Sequence, residues 1–270
     1  MFPYYLKKMS RQQVIEIKEL DLDMIVPNLE SITTNKGGSK ICIIGKPGSG
    51  KSVLTKDIIY SKRHVIPVGM VISGSEDSNK FYESFFPKIF INEKYEKEAV
   101  EKFIERQKLA KDKFKAPWNP WALLIMDDCM DDVKIFNDPM MIGLFKNSRH
   151  WAMLSIFACQ YVFDFKPVIR SNIDGVFIFR EPNKSNREKI WKNFASIIPT
   201  FPLFCKIMDE ITTDYTCLYI NNFTSTNEWQ DCVFYYRAKS RPDFKFGCRD
   251  YWEFSAQRSD DAIEQKGEEE

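Results

Sequence analysis

The chain has 270 residues, 44% of them apolar and 22 of them Phe, so it is long enough to bury one substantial core and too short for two large enzyme domains. Its 39 basic and 38 acidic residues leave a formal net charge of +1, which excludes a histone-like polycation and permits a local basic patch. Seven Cys without a C-x-x-C pair, and only two His, argue against a structural zinc site and for reduced, buried thiols. No apolar run approaches the roughly 18 residues of a membrane-spanning helix, and we expect a soluble intracellular protein.

The chain divides into three predicted regions. Residues 1–37 combine short apolar alternation with a polar, glycine-containing connector and predict a small β-rich preface. Residues 38–254 alternate between strand and helix patterns, which predicts an α/β domain with a central, mainly parallel sheet flanked by helices. Residues 255–270 are polar and acidic and predict a disordered tail.

The first strong motif of the main domain is a phosphate-binding loop (P-loop). The apolar run Ile41 to Ile44 leads into the pattern G-x-x-x-x-G-K-S, and the segment Val53 to Tyr60 is predicted to form the helix that follows it. Glycines are needed because the loop turns tightly and points several N–H groups at phosphates, which the positive end of the helix also attracts. A glycine-rich turn without a ligand is the alternative.

This pattern predicts ATP and Mg²⁺ as cofactors. Lys51 is expected to reach the β- and γ-phosphates, and the Ser52 hydroxyl is expected to ligate the metal. The predicted nucleotide-binding residues are Gly45, Lys46, Pro47, Gly48, Ser49, Gly50, Lys51, Ser52 and Val53.

Further along the chain, apolar runs predict strands and one long helix. The predicted strands are 64–73, 121–126, 154–159, 175–179, 216–220 and 232–236, and the amphipathic helix spans Asn92 to Phe114. Asp127 and Asp128 follow the second of these strands, where a P-loop hydrolase places one carboxylate for Mg²⁺ and another for the attacking water. We predict Asp127 for the metal and Asp128 for the water, although many such hydrolases have Glu at the second position. A helix N-cap followed by a first-turn acid is the alternative.

Gln160 and an arginine complete the predicted catalytic set. Gln160 follows the strand 154–159, where its amide could sense hydrolysis or orient water, or be a surface amide without a role. No compact arginine-rich lid is visible, which argues against a small-molecule kinase. Helicases with two nucleotidase lobes supply an arginine finger within one chain, but a single-domain chain cannot readily do so, and a neighbouring copy should therefore supply it. Arg149 and Arg170 are the candidates and Arg187 is a third, with an ordinary ion pair as the alternative for each.

Taken together, these segments resemble the genome-packaging ATPases of large nucleocytoplasmic DNA viruses, of the poxvirus and mimivirus type, within the FtsK/HerA superfamily of ring-forming DNA pumps. The resemblance covers most of residues 38–240, and the ordered combination of motifs is more selective than any one of them. The segments are Gly45 to Ser52, Ser73 to Asn79 with Phe81-Tyr82, Arg106 to Lys108, Leu124 to Asp128, Ser148 to His150, Ser155 to Gln160 and Ile169 to Asp174.

The resemblance implies a RecA-like P-loop domain of the ASCE type. It assigns Lys51 and Ser52 to nucleotide and Mg²⁺, Asp127 and Asp128 to the acidic pair, Arg149 to the trans-acting arginine and Gln160 to the sensor. It also implies a homo-oligomeric ring, a pentamer or hexamer, that moves double-stranded DNA into a preformed capsid, with partners at the capsid vertex or inner membrane. The implied location is the viral factory in the host cytoplasm, or the virion.

Contact with double-stranded DNA is predicted from the stretch Tyr235 to Arg241 with Lys245 and Arg249, where basic and aromatic residues alternate. Such contacts would go to phosphates and ignore base sequence. A sheet-edge strand with a solvated basic face is the alternative. Three other functions stay open: a DNA translocase or helicase-like ATPase in replication or segregation, a nucleotide-gated assembly scaffold with slow hydrolysis, and a small-molecule kinase.

Overall fold

In the computed structural model, residues 4–5, 16–34, 37–113, 118–129, 133–160 and 165–267 are described. The strands are β1 (Tyr4–Tyr5), β2 (Glu16–Glu19), β3 (Lys40–Ile44), β4 (Val68–Ser73), β5 (Ile91–Asn92), β6 (Ala122–Asp127), β7 (Met153–Cys159), β8 (Gly175–Ile178), β9 (Thr216–Asn221) and β10 (Val233–Arg237). The α-helices are α1 (Leu29–Thr34), α2 (Lys51–Lys62), α3 (Glu76–Asn79), α4 (Lys97–Lys113), α5 (Pro139–Asn147), α6 (Pro167–Arg170), α7 (Lys184–Phe194), α8 (Phe201–Ile211) and α9 (Arg249–Gly267). Short 3₁₀ helices cover Leu22–Met24, Tyr82–Ser84, Lys88–Phe90, Val133–Asn137, Ser148–Trp151 and Trp229–Asp231.

The described strands form one sheet in the order β1-β2-β10-β9-β8-β3-β7-β6-β4-β5. The six strands from β8 to β5 in this order are parallel to their neighbours, whereas β9 is antiparallel to both β8 and β10. This mainly parallel sheet with helices confirms the predicted fold class. We call the edge where β3, β6, β7 and β8 end the carboxyl edge, and the edge where they begin the amino edge.

The apolar runs form central strands because both faces of the sheet are covered. Successive residues of β3 belong to different cores: Cys42 and Ile44 pack in one hydrophobic cluster, and Ile41 and Ile43 pack in the other. The Cys42 thiol is buried, as the sequence predicts, whereas Cys248 is exposed. Within the described residues, no helix is long and apolar enough to cross a membrane.

Two boundaries differ from the sequence-based expectation. The described part of the preface joins the main sheet, since β2 pairs in parallel with β10 and the Lys62 ammonium of α2 donates to the Leu22 carbonyl at 2.8 Å. The expected disordered tail from Ser255 differs as well, because α9 continues through it to Gly267. Tyr251 holds this helix on the sheet by donating its hydroxyl to the Gly69 carbonyl at 2.7 Å.

Candidate active site

The P-loop connects β3 to α2 at the carboxyl edge. Gly48 and Gly50 have φ angles of 73° and 106°, in the left-handed region that a glycine adopts without strain. The buried Lys51 ammonium donates to the Gly45 carbonyl at 2.8 Å, so it points back across the loop. The Ser49 hydroxyl is buried without a hydrogen-bond partner among the described residues. Strand, loop and helix thus have the order and backbone shape that phosphate binding requires.

The acidic pair lies beside this loop, separated from it by one strand. Asp127 is the last residue of β6 and lies opposite Ala158 of β7, and β7 in turn pairs with β3. The Gly45 N–H donates to the Cys159 carbonyl at 3.1 Å, which fixes the start of the loop against the end of β7. The Lys51 charge acts on Asp127, lowering its pKa against the effect of burial. The two predicted halves of the site therefore lie at the same edge of the sheet, one strand apart.

The two carboxylates differ in their surroundings. Asp127 is buried, and its Oδ2 accepts a hydrogen bond from the Tyr82 hydroxyl at 2.8 Å. Burial raises the pKa of Asp127 to about 6, while the Tyr82 hydrogen bond lowers it. Asp128 has a φ of 46°, which is uncommon for a residue other than glycine, and its Oδ1 is buried without a partner among the described residues.

These side chains fit a Mg²⁺ ion. The side chains of Ser52, Asp127 and Asp128 offer only oxygen ligands, which this hard cation prefers. The Oδ1 atom of Asp128 has no hydrogen-bond partner among the described residues, so it is free to bind the metal or to accept a hydrogen bond from a water. Among the described residues, no group of three or more His, Cys, Asp or Glu could hold a metal alone.

Gln160 also lies at the carboxyl edge. It follows β7 directly, and β7 is the strand between the P-loop strand and the acidic strand. The structure therefore brings Gln160 to the same edge of the sheet as Lys51 and Asp127. The neighbouring residues 161–164 lie outside the described part of the chain.

Arg149, in contrast, lies at the amino edge. It belongs to the 3₁₀ helix Ser148–Trp151 that precedes β7, so the seven residues of β7 separate it by roughly 20 Å from its own P-loop. Its guanidinium donates to Asp174 Oδ1 and lies 4.5 Å from the centre of the Phe223 ring. Its side chain is 37% exposed, so it remains accessible to a neighbouring molecule.

Two buried groups hold the Arg149 turn in place. Asp174 also accepts from the Lys40 N–H at 2.8 Å and pairs with the buried Lys40 ammonium at 2.9 Å. Gln107 of α4, in one of the segments that carry the family resemblance, donates to the Trp151 carbonyl at 2.8 Å. These contacts position Arg149 from both sides.

The two other candidate arginines are engaged internally. Arg187 is 9% exposed, pairs with Asp209 at 2.6 Å and donates to the Glu181 carbonyl. The ion-pair alternative therefore describes Arg187, and the pair with Asp174 is likewise an ion pair of Arg149 within its own chain. Arg170 donates to the Asn193 side-chain oxygen at 2.6 Å.

The predicted DNA-binding stretch does not form a single exposed face. Tyr235 and Tyr236 are buried, and Arg241 pairs at 2.6 Å with the fully buried Asp57. The alternative of a sheet-edge strand is wrong, because β10 lies between β2 and β9. The exposed basic residues of this stretch are Arg237, Lys239, Lys245 and Arg249.

Sequence reasoning missed one wall of the nucleotide cavity. A cavity of about 540 Å³ adjoins the P-loop, and its lining includes Tyr215, Arg237, Ala238 and Ser240 from the turn before β9 and the chain after β10. Arg237, Ala238 and Ser240 belong to the stretch predicted to contact DNA, and Tyr215 belongs to no motif. Their separation from the loop in sequence hides their proximity to it. The only sequence signal for this wall is Asp214, a residue type that favours turns.

A parallel sheet with a P-loop after one strand and an acidic pair after a nearby strand defines the fold of P-loop ATPases. No model of a known protein family matches the chain. It is 51% identical to protein 088R of Invertebrate iridescent virus 3 over 254 residues, which cover 92% of this chain and 96% of the relative. It is 47% identical to protein 075L of Invertebrate iridescent virus 6 over 253 residues, with 93% and 97% covered. The chain belongs to the family of these proteins of large DNA viruses.

Solved structures support the fold class independently. The genome packaging NTPase B204 from Sulfolobus turreted icosahedral virus 2, in complex with AMPPCP, is 17% identical with a TM-score of 0.53, covering 75% of this chain and 98% of that chain. The pCW3 conjugation coupling protein TcpA, with ATPγS, is 14% identical with a TM-score of 0.52, covering 89% and 77%. At these identities the likeness is one of fold.

Proposed function

We propose that the protein is an ATP-hydrolysing motor that assembles as a homo-oligomeric ring and translocates double-stranded viral DNA into a preformed capsid. The observation that carries this proposal is the division of the predicted catalytic groups between the two edges of one sheet. Lys51, Asp127 and Gln160 lie at the carboxyl edge, and Arg149 lies at the amino edge, out of reach of its own P-loop.

Each residue then has a defined role. Lys51 and the loop N–H groups bind the phosphates, and Ser52 and Asp127 hold Mg²⁺, which neutralises phosphate charge when bound. Asp128 orients the attacking water and Gln160 senses the terminal phosphate. Arg149 of one subunit reaches the site of the next and stabilises charge on the transferred phosphoryl group.

The likeness in fold to the genome packaging NTPase B204, and membership in a family of large-virus proteins, support DNA packaging over other uses of the same chemistry. We place the ring, of five or six subunits, at the capsid vertex or its inner-membrane proteins, in the viral factory of the host cytoplasm or in the virion. Contacts with DNA would be to phosphates and independent of sequence.

The test is the steady-state rate of ATP hydrolysis with and without long linear double-stranded DNA, using Lys51→Ala to define the background. We expect duplex DNA to stimulate hydrolysis more than single strands do, and salt to weaken the stimulation. ATP binding with a rate indifferent to DNA would favour the nucleotide-gated scaffold. Equal rates for the wild type and Lys51→Ala would contradict the P-loop assignment.

A further inference from the structure

The turn before β9 carries two consecutive residues with left-handed backbone. Asp214 has a φ of 48° and Tyr215 a φ of 60°, and the Thr216 N–H closes the turn by donating to the Thr213 carbonyl at 2.8 Å. A two-residue turn with positive φ at both central positions favours Asn or Asp first and Gly second. Asp214 meets this preference. Tyr215 occupies the position where a side chain is strained.

Burial does not account for this strained tyrosine, because its side chain is 67% exposed. Its ring lies against the P-loop, since a Cβ added to Gly50 would be 3.5 Å from Tyr215 Cδ1. Tyr215 lines the cavity of about 540 Å³ that contains Lys51 and Ser52, and also an adjoining cavity of about 350 Å³ that contains Ser49. An exposed ring is thus held at the P-loop by unfavourable backbone angles, a combination found at ligand sites.

Strand order separates the two ends of a bound nucleotide. Strand β6, which ends in Asp127, and strand β7, which precedes Gln160, lie on one side of β3. Strands β8, β9 and β10 lie on its other side. Thr216 of β9 pairs with Arg237 of β10, so Tyr215 and Arg237 flank the loop on the side away from the acids. A triphosphate on the loop with its terminal phosphate toward Asp127 leaves its nucleoside end toward Tyr215.

We propose that Tyr215 is the base-binding residue of the nucleotide site and that its ring stacks on a purine base. This assignment rests on the nucleotide binding in the proposed function and adds the residue that recognises the base. Stacking on an aromatic side chain strengthens with the area of the base, so the two-ring purines gain more than pyrimidines. Arg237 lines the same cavity and adds positive charge beside the nucleotide.

The test compares dissociation constants of ATP, CTP and inorganic tripolyphosphate for the full chain. Tyr215→Ala should weaken ATP binding by about tenfold or more, lower the ratio of ATP to CTP affinity, and leave tripolyphosphate within about twofold of the wild type. Tyr215→Phe should retain ATP affinity because the ring is kept. Trp118→Ala, which removes a 66% exposed aromatic near the amino edge, is the matched control and should bind like the wild type.

Tyr215→Gly separates a ligand role from a structural one. It should unfold at the same or a higher temperature than the wild type, because the strain is relieved, and still lose ATP affinity. An unchanged ATP affinity in Tyr215→Ala, or an equal loss for ATP and tripolyphosphate, would overturn the assignment. Wild-type protein that binds no nucleotide would overturn the proposed function and this assignment together, whereas wild-type binding without a Tyr215 effect would overturn this assignment alone.

Discussion

At the scale of single residues, the proposed metal site depends on a tyrosine hydroxyl that lies outside both the P-loop and the acidic pair. Asp127 must be ionised to bind Mg²⁺, and burial opposes that ionisation. The Tyr82 hydroxyl, 2.8 Å from Oδ2, favours the charged form and fixes the direction of the carboxylate. Tyr82 therefore positions Asp127, although it lies 45 residues away in the chain.

Tyr82→Phe tests this positioning role. We expect the Mg²⁺ concentration at half-maximal ATP hydrolysis to rise by about tenfold or more, as for other partners of metal ligands, while the rate at saturating Mg²⁺ falls less. Tyr95→Phe is the control, because it removes a hydroxyl that has no hydrogen-bond partner among the described residues. An unchanged Mg²⁺ requirement in Tyr82→Phe would show that Asp127 does not need this hydrogen bond.

The same residues show what a sequence can and cannot predict of a site. Lys51, Ser52 and Asp127 follow spacing rules that phosphate and metal chemistry impose, so the pattern predicts them. Tyr82 and Tyr215 act through positions that arise only when distant segments pack together. Tyr82 lies in a segment that carries the family resemblance, but that resemblance does not link its hydroxyl to Asp127. Tyr215 has no sequence signal that separates it from an ordinary surface tyrosine.

At the scale of elements, one buried carboxylate joins the P-loop helix to the chain after β10. Asp57 of α2 is fully buried and accepts hydrogen bonds from the Tyr236 hydroxyl at 2.8 Å, the Lys239 N–H at 2.7 Å and Arg241 Nε at 2.6 Å. These bonds hold the wall of the nucleotide cavity against the helix that begins at Lys51.

Asp57→Ala should lower the free energy of unfolding by about 3–5 kcal/mol, because it leaves a guanidinium, a hydroxyl and an N–H without their partner. Urea denaturation followed by circular dichroism measures the change. Asp112→Ala, which removes an exposed carboxylate from α4, should stay within about 0.5 kcal/mol of the wild type. A loss below about 1 kcal/mol in Asp57→Ala would mean that solvent replaces these bonds.

The sequence predicts those helices and strands that are determined by local residue patterns. Continuous apolar runs identify β3, β6, β7 and β8 because buried parallel strands need apolar residues on both faces. The pairing of β2 with β10 joins residues more than 200 positions apart and leaves no local pattern. The start of α4 at Lys97 also differs from the expected Asn92, because Ile91–Asn92 pair with β4 instead.

At the scale of the whole molecule, the carboxyl edge and the amino edge of the sheet form two separate surfaces. In a ring, the carboxyl edge of one subunit would contact the amino edge of the next. The carboxyl edge holds the P-loop and the acids, and the amino edge presents Arg149, positioned by Asp174. In a head-to-tail ring, each boundary joins two different surfaces of identical subunits. Each boundary could then complete one catalytic site.

Mixing two inactive variants tests this arrangement. Arg149→Ala should lower DNA-stimulated hydrolysis by about 10³-fold or more, and it should still fold because Asp174 keeps its pair with Lys40. Mixed in equal amounts with Lys51→Ala, it should recover about a quarter of wild-type hydrolysis, since one boundary in four of a random ring joins an intact loop to an intact arginine.

Arg170→Ala is the control for this experiment, because Arg170 contacts Asn193 of its own chain. It should be active without any mixing. If mixed rings form, as shown by co-purification of differently tagged subunits, and no activity returns, Arg149 does not act across the boundary.

The central claim is that the protein moves along double-stranded DNA. The most direct measurement of it is whether ATP hydrolysis displaces a labelled third strand that is bound to a linear duplex. A motor that moves along the duplex should release the labelled strand with ATP, more slowly as the duplex before it is lengthened, and not at all in Lys51→Ala. DNA-stimulated hydrolysis by assembled protein without any release of the strand would contradict translocation.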